Sequence, residues 1–187
     1  MRPAACGCAL PTHTFPPMRL PLLRHLLSIT ALPFMAAVVI PWWVTRGRTV
    51  VVGPGPTLST RLLQLGGLAL LVVGLLLFVG SLRRFATEGE GTLAPWDPPR
   101  RLVITGLYRY VRNPMITGVV TVLLGEAAVL LSPAIGRWAV TFLLINAVYI
   151  PLVEEPMLVA RFGEAYREYC RHVPRLVPRL RAVSLKP

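Results

Sequence analysis

Residues 61–84 read RLLQLGGLALLVVGLLLFVGSLRR, and this stretch decides the fold class. Arg61 on one side and Arg83-Arg84 on the other bracket an apolar run from Leu62 to Leu82. Roughly 20 such residues in a helix cross the hydrocarbon core of a bilayer, and charged residues collect at the ends of the run, among the headgroups.

Three further apolar runs extend the pattern. The first, Leu26 to Val44, is interrupted by Pro33 and ends in Pro41-Trp42-Trp43, an aromatic belt suited to a membrane interface. The third run, Met115 to Leu131, carries the carboxylate Glu126; the fourth, Trp138 to Val153, carries Asn146 and Pro151 and leads directly into Glu154-Glu155. These runs predict spans at about 26–44, 62–82, 115–131 and 138–153. Residues 132–137 leave room only for a tight helical hairpin between the last two. The fold class expected is an all-α integral membrane protein of about four transmembrane helices. A mean hydropathy of +0.60 supports it, being too apolar for a soluble domain of 187 residues.

The net charge of +12 could suit nucleic acid, but the basic residues flank the apolar runs, so membrane lipid headgroups are the expected partner and nucleic acid is not. With four spans, sixteen Arg and Lys residues share the side of the N-terminus, the 83–114 segment and the tail, against Arg46, Arg48, Arg61 and Arg137 opposite. The positive-inside rule then puts both termini in the cytoplasm, with a bacterial cytoplasmic membrane the expected location. Residues 1–19 are expected to form a disordered, Pro-rich leader, with translation from Met18 an alternative start, and residues 20–187 a single domain. Cys6, Cys8 and Cys170 make neither a disulfide framework nor a zinc site, and no metal is expected.

In the tail, Met157, Leu158, Phe162, Tyr166, Tyr169 and Val173 recur at helical spacing with charged residues between them, predicting an amphipathic helix over about 156–173. Gly53-Pro54-Gly55-Pro56 is expected to be a turn, since its prolines remove the amides of a phosphate-binding loop. Glu126, a carboxylate within a span, is expected to have a structural partner in Asn146 or Arg137.

Polar information is concentrated in residues 89–118 and 154–178. Gly106-Leu107-Tyr108-Arg109-Tyr110-Val111-Arg112-Asn113-Pro114, then Gly118, Glu154-Glu155, and Phe162-Gly163 with Tyr166 and Tyr169, follow one another around an apolar hairpin. In this order and spacing the chain resembles the isoprenylcysteine carboxyl methyltransferase and phospholipid methyltransferase superfamily, across roughly residues 85–178.

The resemblance implies S-adenosylmethionine held in a membrane-embedded pocket formed by the cytoplasmic loop and the tail helix. By that resemblance Leu102 and Val103 line the cofactor with backbone groups and Tyr108 packs on it. Asn113, Pro114 and Met115 would contact it at the start of the third span, and Glu154 and Glu155 at the end of the fourth. A carboxylate suits the cofactor's cationic and hydroxyl groups, and Arg112 or Arg109 suits its carboxylate. Methyl transfer needs positioning and exclusion of water rather than a catalytic triad, so no catalytic residue is assigned.

Asn113 stands where family members often carry His, Ile116 where they carry Tyr, and Ile150 where members that methylate prenylcysteine place Arg. The acceptor implied is hydrophobic or lipid-like, with amine, carboxylate, thiol and phenol all open. The alternatives are an NADPH-dependent membrane reductase of a sterol or isoprenoid double bond, and a non-catalytic membrane protein.

Overall fold

A computed structural model describes residues 30–46, 53–88 and 101–183, and among these there is helix but no strand. The leader at 1–19, the start of the first predicted span and residues 89–100 lie outside the described residues.

Helix α1 runs from residue 30 to residue 45, π-helical over Thr30–Val39 and α-helical over Ile40–Thr45. The wide turns coincide with Pro33, whose missing amide interrupts an α-helical ladder. Helix α2, Leu58–Glu88, extends about 47 Å at 1.5 Å per residue. Thr57 caps it, its hydroxyl accepting from the Thr60 amide at 3.3 Å while the Thr57 amide donates to the Thr60 hydroxyl at 3.1 Å. The Gly53–Pro56 stretch folds back on this first turn: Gln64 accepts from the Gly55 amide and donates to the Gly53 carbonyl, and Arg61 donates to the Gly55 carbonyl.

Helix α3, Pro114–Val129, and helix α4, Pro133–Tyr149, form the hairpin. Its turn is residues 130–132, with Leu131 at φ 47°. Residues 133–137, expected in the connection, are instead the first turn of α4, because Pro133 has the φ a helix start requires and lacks only an amide that would be unbonded there. A π-helical turn, Ile150–Glu154, containing Pro151, carries α4 into α5, Glu155–Phe162. The tail therefore continues the fourth helix. It then breaks at Gly163, whose φ of +59° with ψ of −133° is a backbone conformation that glycine alone adopts readily, and resumes as α6, Glu164–His172.

Helices α2 and α3 pack antiparallel at very close range. A Cβ added to Gly67 would lie 2.9 Å from the Gly125 carbonyl oxygen, and one added to Gly74 would lie 2.9 Å from that of Gly118. Each helix thus presents two glycines seven residues apart, and the pairs meet in opposite order. Small residues allow backbones to approach this closely, and close packing drives helix association in lipid.

On the other face of α3, Val119 and Leu123 are buried with Ala36 of α1 and Ile135 and Ala139 of α4; the Trp138 indole donates to the Ala36 carbonyl at 2.9 Å and fixes α1 against α4. Glu126 takes neither expected partner. The Asn146 amide donates to the Phe142 carbonyl of its own helix, and Glu126 Oε2 is buried with no hydrogen bond.

Outside these seams the helices turn apolar side chains outward: Leu65 is 64% exposed, Leu76 67% and Leu152 70%. Among the described residues, 58–84 and 133–162 are the two helical stretches long and apolar enough to cross a membrane, and they bury only 11% and 6% of their most apolar windows inside the protein. Apolar surface on this scale requires lipid around it. The apolar stretches of α1 and α3 are shorter, Pro33–Thr45 and Pro114–Val129.

Candidate functional site

The polar end of the molecule is assembled from residues 102–117, the α4–α5 junction and the chain after Gly163. Its core is Tyr166, Tyr169 and Val173, against which Leu102, Ile104, Leu158, Val159 and Phe162 pack. The apolar face read along the tail therefore packs on Leu102 and Ile104, in the segment that precedes α3. Gly106–Arg109 forms a short 3-10 turn that puts Tyr108 inward, 8% exposed.

The tail fastens this turn along its length. The Tyr169 hydroxyl donates to the Tyr108 carbonyl at 2.7 Å, and the Arg112 amide donates to the Pro174 carbonyl at 2.8 Å. The Asn113 amide donates to the Arg175 carbonyl, the Thr117 hydroxyl to that of Leu176, and the Arg179 amide to that of Tyr110. A buried backbone that joins no regular ladder must find such partners, and here the irregular tail after α6 supplies them.

The two adjacent glutamates have different surroundings. Glu155 is gripped by two guanidiniums: Arg175 makes a fork of 2.7 and 2.8 Å to its two oxygens, and Arg112 adds a third contact at 2.7 Å. Hydrogen bonding to Glu155 holds the Arg175 guanidinium above its ordinary pKa. Arg112 also reaches Cys170 Sγ at 2.9 Å, and its buried Nε has no partner among the described residues. Of the residues expected at a cofactor, Arg112 and Glu155 are therefore bonded to each other. Arg175, which no motif reading had marked, completes the cluster; its only signal in the sequence is the Pro174-Arg175 pair just past α6.

Glu154 is half-buried and makes no hydrogen bond or ion pair among the described residues. It lies near Tyr108, whose phenol is pushed above its usual range by burial first, then by the Glu154 carboxylate and that of Glu88. Asn113 caps the start of α3 without a side-chain cap bond, and Pro114 is fully buried at its first position. The first ladder bond there is Thr117 amide to Asn113 carbonyl, so the Met115 and Ile116 amides precede the ladder. Val103 is buried; Leu102 and Met115 are half-buried.

These features fit the groups of S-adenosylmethionine. An unpaired carboxylate suits a sulfonium or ammonium, and unpaired amides at a helix start suit a carboxylate. Among the described residues no group of three or more His, Cys, Asp or Glu is placed to hold a metal.

A methanethiol S-methyltransferase of Bradyrhizobium diazoefficiens is 39% identical over 77 residues, which cover 40% of this chain and 27% of the relative. The chain thus matches little more than a quarter of that protein's length. No solved structure matches the chain. Residues 62–165, more than half the chain, match the phospholipid methyltransferase family. They include both long apolar helices, the Tyr108–Pro114 turn and the glutamate pair, and the chain is accordingly a member of the phospholipid methyltransferase family.

Proposed function

We propose that the protein transfers a methyl group from S-adenosylmethionine to a hydrophobic or lipid-like acceptor at the cytoplasmic face of the membrane. The observation that carries this reading is the contrast at 154–155: one carboxylate is neutralised by two arginines and its neighbour, beside Tyr108, has no partner among the described residues. In this reading α1 and α3 complete a four-span bundle whose termini are both cytoplasmic, and the 102–117 segment and tail close the cofactor site over its cytoplasmic end. The cofactor, when bound, supplies a methyl group already activated for displacement.

The chain's own residues orient and shield. Glu154 faces the cofactor's positive charge, Tyr108 packs against it, and the backbone of Leu102 and Val103 borders it. Asn113 and the Met115 and Ile116 amides after Pro114 take its carboxylate end. Arg112, Glu155 and Arg175 hold the Tyr108–Asn113 turn on the α4–α5 junction, so they position the site and contact the cofactor less directly than Glu154. Burial of these groups excludes water, which a methyl-transfer site requires.

The acceptor reaches the site from the lipid. The substrate in the relative's name, methanethiol, favours a small apolar thiol among the acceptors compatible with such a route. Family membership favours methyl transfer over NADPH-dependent reduction.

The test is calorimetry on detergent-purified protein. S-adenosylmethionine is expected to bind at micromolar concentration and to lose that binding in Glu154→Ala, with NADPH binding neither form. Binding of NADPH in place of S-adenosylmethionine would replace this reading with the reductase. Unaltered affinity in Glu154→Ala would remove Glu154 from the site.

A further inference from the structure

At the other end of α4 there is a cavity of about 380 Å³, within the ordinary range for ligand pockets, lined by Trp43, Val44, Arg46, Ala134, Arg137, Trp138 and Thr141. We infer that it is a binding site for the anionic phosphate headgroup of a membrane lipid, in the leaflet opposite the methyl-transfer site. The inference is independent of which cofactor or acceptor the other end uses.

Position is the first argument. Ala134 and Glu154 are separated by twenty residues of nearly continuous helix, about 30 Å at 1.5 Å per residue. That is about the thickness of the hydrocarbon core, so a helix with Glu154 at one headgroup level holds the cavity at the other.

Charge is the second. Arg46 and Arg137 both line the cavity, and neither has a carboxylate partner among the described residues. Two guanidiniums repel each other when they share a pocket, and an anion between them removes the repulsion. Arg46 is held in place by stacking, its Cζ 3.6 Å from the centre of the Trp42 ring. Stacking covers the face of a guanidinium and leaves its edge of N–H donors available, the geometry that recognises phosphate.

The aromatic lining is the third. The Trp138 indole is committed to Ala36, which makes the cavity wall rigid, whereas Trp43 is 66% exposed beside the opening. An exposed tryptophan at this depth suits the headgroup boundary, where it can lie against the glycerol and upper acyl region of a lipid whose phosphate enters the cavity.

The experiment titrates the purified full chain in neutral detergent with phosphatidylglycerol, phosphatidylcholine or inorganic phosphate. Bound lipid is read by native mass spectrometry and the unfolding midpoint by thermal melting. Phosphatidylglycerol is expected to bind and raise the midpoint, phosphatidylcholine to bind far more weakly. Replacing Arg46→Gln and Arg137→Gln together is expected to weaken phosphatidylglycerol at least about tenfold, the loss of one charge-assisted contact or more. The single variant Arg137→Gln, whose side chain has no partner to lose among the described residues, is expected to show part of the same loss with an unchanged lipid-free midpoint. Wild-type retention of phosphatidylglycerol by both variants would overturn the site. Equal binding of the two lipids would overturn its preference for an anion. An equal rise in midpoint with inorganic phosphate alone would overturn the lipid source.

Discussion

Where α2 meets α3, backbone lies against backbone with glycines between them, and the hydrogen bond that Gln64 makes across to the Val129 carbonyl stands at the far end of the seam. At the polar end the reverse holds: residues 108–117 are tied to the tail by a row of hydrogen bonds and to α5 by the Arg112–Glu155–Arg175 cluster. The difference follows from the solvent. In lipid there is little apolar driving force between helices, so shape complementarity at short range does the work. At the water-facing end, irregular backbone must be satisfied group by group. The molecule can therefore keep a tightly determined scaffold while its polar end retains a few unpaired groups for a ligand.

Breaking the seam should have the largest effect. Gly74→Leu places a side chain where even a Cβ would be 2.7 Å from the Val122 amide nitrogen, and is expected to cost about 3 kcal/mol, read as a lower unfolding midpoint and poor recovery from the membrane. Gly66→Leu, at a position with nothing within 4 Å, should leave the midpoint near wild type. If the two variants behaved alike, the seam would not be the source of stability.

The glutamate pair sharpens the comparison within the polar end. Glu155→Gln removes the carboxylate charge that two arginines share, leaving both guanidiniums uncompensated, and should lower stability by about 2 kcal/mol. This lies below the range for fully buried pairs because the Arg112 and Glu155 side chains keep 12% and 17% exposure. Glu154→Gln should leave the midpoint nearly unchanged while abolishing ligand binding. Denaturation and binding measured on both variants check the split, and a reversed pattern would exchange the two roles.

A smaller effect is expected of Tyr169→Phe, which removes the buried hydrogen bond to the Tyr108 carbonyl and should cost about 1 kcal/mol in thermal or denaturant unfolding. The smallest concerns Glu88. Its contacts with Thr105 and Arg84, which tie the end of α2 to the 3-10 turn, hold its carboxyl below the usual range. A depressed folded-state pKa gives stability that is present above the ordinary carboxylate pKa and lost as pH falls through the folded value. On this exposed pair it amounts to less than about 1 kcal/mol. The acid side of a melting-temperature profile should accordingly flatten slightly in Glu88→Gln.

Much of this was legible in the chain. Leu62 to Leu82 is a span by length and composition, and the Tyr108–Pro114, Glu154-Glu155 and Phe162-Gly163 elements announce the family by order and spacing. Boundaries were less legible. The Pro133 start of α4, the continuity of α4 with α5 and the break at Gly163 depend on how a proline or a glycine is used, and each residue type serves several local conformations. The expected partners of Glu126 were misread because a carboxylate does not announce which helix faces it.

What the sequence determined by itself is what is local or compositional: helical spans, the basic and aromatic residues at their ends, and the motif that carries family membership. Only the tertiary structure decided that Gly67 and Gly74 oppose Gly125 and Gly118, and that residues 174–183 lie along the 109–117 turn. It alone separated Glu155, held by Arg175, from Glu154, which has no partner among the described residues. The physical reason is that composition and periodicity act between neighbours along the chain. Pairing of charges, and the approach of one backbone to another, act between residues that only folding brings together.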